Sequence, residues 1–88
     1  MADVLLSRAL LALFPGVPRR IAVEASSVRE VIAALDRTAP GIADRLLRAG
    51  PSIREHINVF VDGDVAGLDT PVHPGSTVHV IPAVSGGA

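Results

Sequence analysis

The stretch that decides the fold is residues 77–88, Thr77-Val78-His79-Val80-Ile81-Pro82-Ala83-Val84-Ser85-Gly86-Gly87-Ala88. Residues 77–81 alternate as a β-strand does, and Pro82 has no N–H to donate, so strand pairing is expected to stop there. The glycines that follow lack a Cβ, so they could enter a narrow channel, although frayed glycine ends are also common. We predict a final strand and a projecting tail, with one domain over residues 1–83 and the tail over 84–88.

A helix is predicted upstream of that strand. Ser27-Val28-Arg29-Glu30 matches a capping box, in which the serine and the glutamate satisfy the first unpaired amides of a helix. Ser27 is therefore interpreted as a cap rather than a nucleophile. An apolar stripe follows at helical spacing, and Ala39-Pro40-Gly41 ends it. A second, short helical piece is predicted from Ile42, ending at Ala49-Gly50-Pro51.

The remaining segments suggest strands. Residues 4–14 are apolar without a decisive period; we expect a strand in the first part and leave the second part open. Residues 19–25 alternate after a Pro-Gly breaker, which predicts a hairpin with a longish loop. Ile57–Val61 runs into the turn Asp62-Gly63-Asp64, and a short strand is expected within residues 65–72. The order predicts an α+β fold, with one main helix across a mixed sheet of four to five strands.

Composition limits the chemistry. The 88 residues suit one domain, and the two phenylalanines leave the core to aliphatic side chains. The net charge is −1 with interspersed signs, so no basic patch for nucleic acid is expected. The chain has no cysteine, which excludes disulfides, thiolate-bound metals and a thiol nucleophile of its own. All eight basic residues are arginine, so no lysine can accept an acyl group. No membrane segment is evident, and we expect a cytoplasmic protein.

No metal site or catalytic constellation is predicted. His56, His73 and His79 have no ligand spacing, and we interpret them as surface or edge residues. Asp62, Asp64 and Asp69 lack the further ligands of a calcium loop, so turn chemistry explains them better.

The ending Pro-x-Val-x-Gly-Gly, following this order of elements, resembles that of the ThiS/MoaD family of sulfur carriers, which are ubiquitin-like β-grasp proteins. The resemblance extends through residues 27–35 and 57–63. Within the family it is strongest to the sulfur carrier of actinobacterial cysteine biosynthesis, on the strength of residues 57–61 and 81–87.

The resemblance implies a protein cosubstrate rather than an enzyme. In such carriers a ubiquitin-activating-type enzyme uses ATP to adenylate the terminal glycine carboxylate, here that of Gly87, and a sulfur donor converts it to a thiocarboxylate. A sulfur-accepting biosynthetic enzyme is the second implied partner. Residues Val84, Ser85, Gly86 and Gly87 would thread into partner active sites, and no cofactor would be bound by the chain itself.

Ala88 departs from the family pattern, because it blocks the carboxylate of Gly87. Some family members resemble precursors that a JAMM-type zinc metalloprotease trims, so we expect cleavage after Gly87. A residue left by a cloning vector is the alternative.

A docking face is predicted from strand alternation. If Val59, Val61, Val78 and Val80 point inward, then Phe60, His79 and Ile81 point outward and form one patch. The resemblance implies that this open sheet face docks on the activating enzyme; a core position for Phe60 is the competing interpretation. Two other functions stay open: a ubiquitin-like modifier attached to target lysines through Gly87, and a binding module without tail chemistry.

Overall fold

The apolar run near the amino terminus divides into a strand and a helix in the computed structural model, which describes residues 1–82. Strand β1 spans Ala2–Leu6 and helix α1 spans Arg8–Leu13. Between them, the Ser7 hydroxyl accepts a hydrogen bond from the Leu10 amide at 3.3 Å. The spacing of apolar residues did not decide between strand and helix for the second half of this run. The serine cap is the local signal that starts a helix there.

Strand β2, Arg20–Val23, returns antiparallel to β1, with Ala2 opposite Val23 and Leu5 opposite Arg20. The predicted hairpin is therefore confirmed, and α1 lies within its loop.

The main helix α2, Val28–Thr38, begins and ends as predicted. Ser27 caps it by accepting from the Glu30 amide at 3.3 Å, and Ala39 is the carboxyl-terminal cap. The Glu30 carboxylate accepts from the amide of Ser26 at 2.8 Å and from its hydroxyl at 3.0 Å, one residue earlier than a standard capping box. These two hydrogen bonds, the amide first, hold the pKa of Glu30 below its ordinary value.

The next segment is a short helix followed by a small hairpin. Helix α3 covers Ile42–Leu46, and strands β3, Leu47–Arg48, and β4, Ser52–Ile53, pair with each other. The Asp36 carboxylate accepts from the amides of Gly41 and Ala43 at 3.1 and 3.0 Å, which starts α3. We predicted that this helix ends at Ala49. It ends three residues earlier, because the chain continues into the hairpin instead.

Strand β5, Ile57–Val61, and strand β6, Asp64–Val65, form the second main hairpin. Asp62 and Gly63 in its turn have φ of 51° and 91°, the left-handed backbone that a two-residue hairpin loop requires. The short strand expected within residues 65–72 reaches only Val65. Beyond it, the carbonyls of Leu68 and Thr70 accept from the Arg29 and Val28 amides at 2.9 and 3.1 Å, so this segment completes the start of α2.

Strand β7, Thr77–Pro82, is the central strand. It pairs parallel with β1 and antiparallel with β5, and the five-stranded sheet has the order β2-β1-β7-β5-β6. Helix α2 covers one face of this sheet. The predicted α+β fold with a mixed sheet, one main helix and a short second helix is confirmed; α1 and the small β3-β4 hairpin are additional.

The core lies between α2 and the inner face of the sheet. Its fully buried side chains come from alternate strand positions and from the predicted helical stripe; they include Val4, Leu6, Val28, Val31, Ile32, Leu35, Val59, Val78 and Val80. Aliphatic residues therefore form the core, as the composition predicts. Within residues 1–82, no helix is long and apolar enough to cross a membrane.

Candidate functional site

The site is organised around the carboxyl end of β7, because the glycine-rich sequence follows that strand directly. Ile81 lies opposite Asn58, and Pro82 lies opposite Ile57. On the other side, the Ser7 amide donates to the Val80 carbonyl at 3.3 Å. Strand β7 ends at Pro82, which still has a strand partner. Pairing with β1 reaches Val80, and the last two residues of β7, Ile81 and Pro82, are paired with β5 only.

The tail residues lie outside the described part of the chain. These are Val84, Ser85, Gly86, Gly87 and Ala88, together with the domain boundary predicted after residue 83. Their roles stay predictions.

The outer face of the sheet carries a row of side chains that crosses four strands. The row, here called the outer row, consists of Leu5, His79, Phe60 and Val65, because Leu5 and Phe60 both lie opposite His79, and Val65 lies opposite Phe60. Val65 is 76% exposed, and Ile81 beside the row is 40% exposed. No helix among the described residues covers this face, in contrast to the inner face under α2.

Phe60 is placed on the outer face, half-buried, and is not a member of the hydrophobic core. Strand alternation therefore predicted the orientation of Phe60, His79 and Ile81 correctly, and the core interpretation of Phe60 is wrong. Their role in docking stays a prediction. The outward positions of Leu5 and Val65 were not predicted. For Leu5 a signal was present, because it lies between two apolar neighbours, Val4 and Leu6, that point inward.

Arginines surround the end of β7. One open depression of about 580 Å³ lies beside Ile81 and includes Arg8, Arg19 and Arg20 together with Leu5 and His79. A second, of about 420 Å³, lies beside Pro82 and includes Arg45, Arg48 and Arg54. We call these six residues the arginine rim. The interspersed charges in the sequence predict no basic patch for nucleic acid, and this stays a prediction, but the fold brings together arginines that are distant in sequence.

The carboxylate of Asp62 has a structural role at the opposite end of β7. It accepts from the Thr77 amide at 2.9 Å, and the Asp62 amide donates back to the Thr77 carbonyl at 2.8 Å. The Thr77 amide, then the Ser76 hydroxyl and the charge of His73, hold the pKa of Asp62 below its ordinary value. Asp62 lies in the hairpin turn with a φ of 51°, as predicted, but its carboxylate binds β7 rather than the turn itself.

The three histidines, which we predicted not to be metal ligands, lie in different parts of the fold. His56 and His73 are exposed, and His79 is half-buried in the outer row. Across residues 1–82, no three histidine or carboxylate side chains come together in a way that could hold a metal ion.

The sequence profile of the ThiS family matches residues 12–87, most of the chain. A chain from the BexX/CysO complex of Amycolatopsis orientalis superposes with a TM-score of 0.89 at 26% identity, covering 99% of this chain and 100% of that one. SAMP1 of Haloferax volcanii gives 0.78 at 26% identity over 98% of both chains. CysO of Mycobacterium tuberculosis gives 0.84 at 22% identity, over 96% and 100%, which supports the shared fold. No curated protein sequence matches.

Proposed function

Because the chain belongs to the ThiS family, whose members share the ubiquitin-like β-grasp fold found here, we propose that it is a sulfur carrier that works through the carboxylate of Gly87. The observation that carries the proposal is the position of β7: the strand that precedes the Gly-Gly sequence in the chain is the central strand of a sheet whose outer face no described helix covers. One strand would thus join the tail sequence to the proposed docking face.

The chemistry requires two steps. A Gly87 carboxylate oxygen attacks the α-phosphorus of ATP in an adenylating enzyme, pyrophosphate leaves, and a mixed anhydride forms. Hydrosulfide or an equivalent sulfur donor then attacks the acyl carbon, AMP leaves, and the product is a thiocarboxylate. A carboxylate is a poor electrophile until its oxygen becomes part of a good leaving group, so ATP is consumed by the partner rather than bound by this chain.

The composition supports a carrier role. The chain has neither cysteine nor lysine, so no thiol or side-chain amine of its own can capture the activated Gly87 carbonyl. The protein then acts as a cosubstrate, and the accepting enzyme decides which metabolite, such as cysteine, a cofactor or a secondary metabolite, receives the sulfur.

Docking on partner enzymes would use Phe60, His79 and Ile81. An exposed apolar patch next to a reactive end suits protein recognition. The related structure from Amycolatopsis orientalis is itself a complex of CysO with a partner protein, BexX, which supports an interaction of this kind.

Ala88 must be removed before Gly87 can react, and we propose that a JAMM-type metalloprotease does so. The test compares the 88-residue chain with a chain ending at Gly87, each incubated with an adenylating enzyme of this family, ATP and sulfide. Intact mass should show one oxygen-to-sulfur exchange only on the shorter chain. A thiocarboxylate on the untrimmed chain would contradict processing, and no exchange on either chain would contradict the carrier.

A modifier function is the second candidate, and the similarity to SAMP1, a small archaeal modifier protein, favours it. The same shorter chain, incubated with the adenylating enzyme, ATP and cell extract, distinguishes the two. An isopeptide-linked Gly-Gly remnant on a lysine of another protein would support a modifier, whereas a thiocarboxylate without such adducts supports a carrier.

A further inference from the structure

The arginine rim is concentrated at one end of the sheet. Strand β1 ends there at Leu6, whose amide donates to the Arg19 carbonyl at 2.9 Å, and β2 begins there at Arg20. Strand β5 begins there opposite Pro82. The two depressions at this end contain six arginines and one carboxylate, that of Glu55.

Half of the rim is already engaged within the fold. Arg48 forms an ion pair with Glu55 at 3.4 Å, and Arg54 donates to the Asp44 carbonyl at 3.0 and 3.1 Å. Arg20 has a looser ion pair with Asp3 at 3.6 Å. The other three, Arg8, Arg19 and Arg45, are exposed and have no side-chain hydrogen bond or ion pair within residues 1–82. Their guanidinium groups are available to another molecule.

The opposite end of the sheet is acidic. Asp62 and Asp64 lie in the turn beside the start of β7, Glu24 follows the end of β2, and Asp69 lies in the segment that meets the start of α2. Arg29 also lies at this end, where it pairs with Asp69 at 3.1 Å. A net charge of −1 therefore conceals an excess of arginines at one end of the sheet, where Glu55 and Asp44 are neighbouring carboxylates, and an excess of carboxylates at the other.

We propose that the arginine rim is a docking surface for a protein whose tail-receiving opening is bordered by aspartate and glutamate carboxylates. The inference rests on the proposed function, since Ile81 and Pro82, the last described residues before the tail, each line one of the two depressions. Arginine is suited to this contact because its planar group binds carboxylates through paired hydrogen bonds.

The apolar surroundings favour a protein over a nucleic acid. The depression beside Ile81 also includes Leu5 and His79, so the rim is continuous with the outer row. A protein surface can cover that apolar area while its carboxylates meet the guanidinium groups. A long polyanion would instead encounter the acidic end of the same small molecule.

The charge separation would orient the chain before contact. Because opposite ends carry opposite charges, an acidic opening attracts the end from which the tail continues and repels the other end. Steering of this kind raises association rates by roughly 10- to 1,000-fold and weakens steeply with ionic strength.

The experiment measures association of the chain ending at Gly87 with the adenylating enzyme used above, in about 50 mM and about 500 mM NaCl. That chain lacks only Ala88 and keeps every residue of the described fold. The test variant is R8Q/R19Q/R45Q, whose three side chains make no hydrogen bond or ion pair among residues 1–82. A matched pair of single variants, R19Q and R29Q, removes one charge from each end.

We expect the triple variant to associate about tenfold more slowly at low salt and nearly normally at high salt. R19Q should slow association more than R29Q, while thermal unfolding of the triple variant and of R19Q stays close to that of the parent chain. In the ATP-pyrophosphate exchange assay, we expect the KM of the adenylating enzyme for the triple variant to rise and its kcat to stay unchanged.

The inference would be overturned if salt and the triple variant left association unaffected, or if R19Q and R29Q had equal effects. A fall in kcat at constant KM would also overturn it, because that result would assign the arginines to the nucleotide. Salt-dependent binding of a labelled RNA oligonucleotide that is lost in the triple variant, with normal enzyme association, would assign the rim to nucleic acid. If thiocarboxylate forms but the rim proves inert, the carrier function stands and only this inference fails.

Discussion

Adjacent residues of β7 face opposite environments, because the inner face of the sheet is covered by α2 and no described helix covers the outer face. Val78 and Val80 are fully buried under α2, whereas His79 is half-buried and Ile81 is exposed. The inner face makes the core, whereas the outer face, which no described helix covers, is the docking face of the proposed function. Because side chains alternate along a strand, one segment supplies both faces.

The sharpest test of this contrast is a pair of identical substitutions at neighbouring positions of β1. Leu6→Ala removes a buried side chain from the inner face and should lower the free energy of unfolding by about 2–5 kcal/mol. Leu5→Ala acts on the half-buried outer row and should cost under about 1 kcal/mol. Urea unfolding of both variants measures the difference; equal losses would mean that the two faces contribute equally to the core.

The two phenylalanines provide the next comparison. Phe60→Ala should raise the KM for the adenylating enzyme about tenfold, the size expected when an interface anchor is truncated, and change stability by under about 1 kcal/mol. Phe14 packs against the core, so Phe14→Ala should mainly lower the midpoint of thermal unfolding and leave KM unchanged. A large loss of stability with a normal KM in Phe60→Ala would refute the docking role.

The helix that covers the inner face depends on its cap. Ser27→Ala should lower the free energy of unfolding by about 1 kcal/mol, because the Glu30 amide loses its acceptor. Ser26→Ala is the matched control: it removes a hydroxyl contact to Glu30 but keeps the backbone one, so a loss of a few tenths of a kcal/mol is expected. Chemical denaturation compares the two, and equal losses would contradict the assignment of Ser27 as the cap.

The smallest effect concerns the acidic end of β7. The pKa of Asp62 is lowered in the folded chain, so the unfolded chain binds the proton more readily, and the contribution of Asp62 to stability is lost as pH falls below about 4. Asp62→Asn should therefore reduce the decrease in unfolding free energy between neutral and acidic pH. Asp64→Asn, in the same turn, is the control; identical pH profiles for the parent and Asp62→Asn would contradict the role of Asp62.

Local patterns predicted most of the elements. The capping serine and the stripe from Val28 to Leu35 identify α2, and Asp62-Gly63 identifies the hairpin turn, because each depends on neighbours within a few residues. Residues 8–13 were ambiguous, since an apolar run of that length suits a strand or a helix equally. The β3-β4 hairpin was missed because two-residue strands have no period to detect.

The amino-acid sequence by itself determined the family, the main helix, the alternation that turns Phe60, His79 and Ile81 outward, and the absence of thiols and lysines. Only the tertiary structure decided that β7 is the central strand, and that arginines from residues 8, 19, 20, 45, 48 and 54 meet around its end. The physical reason is range. Periodicity and capping act within a few residues, whereas the parallel pairing of β1 with β7 joins segments about seventy residues apart, and that pairing places the charges.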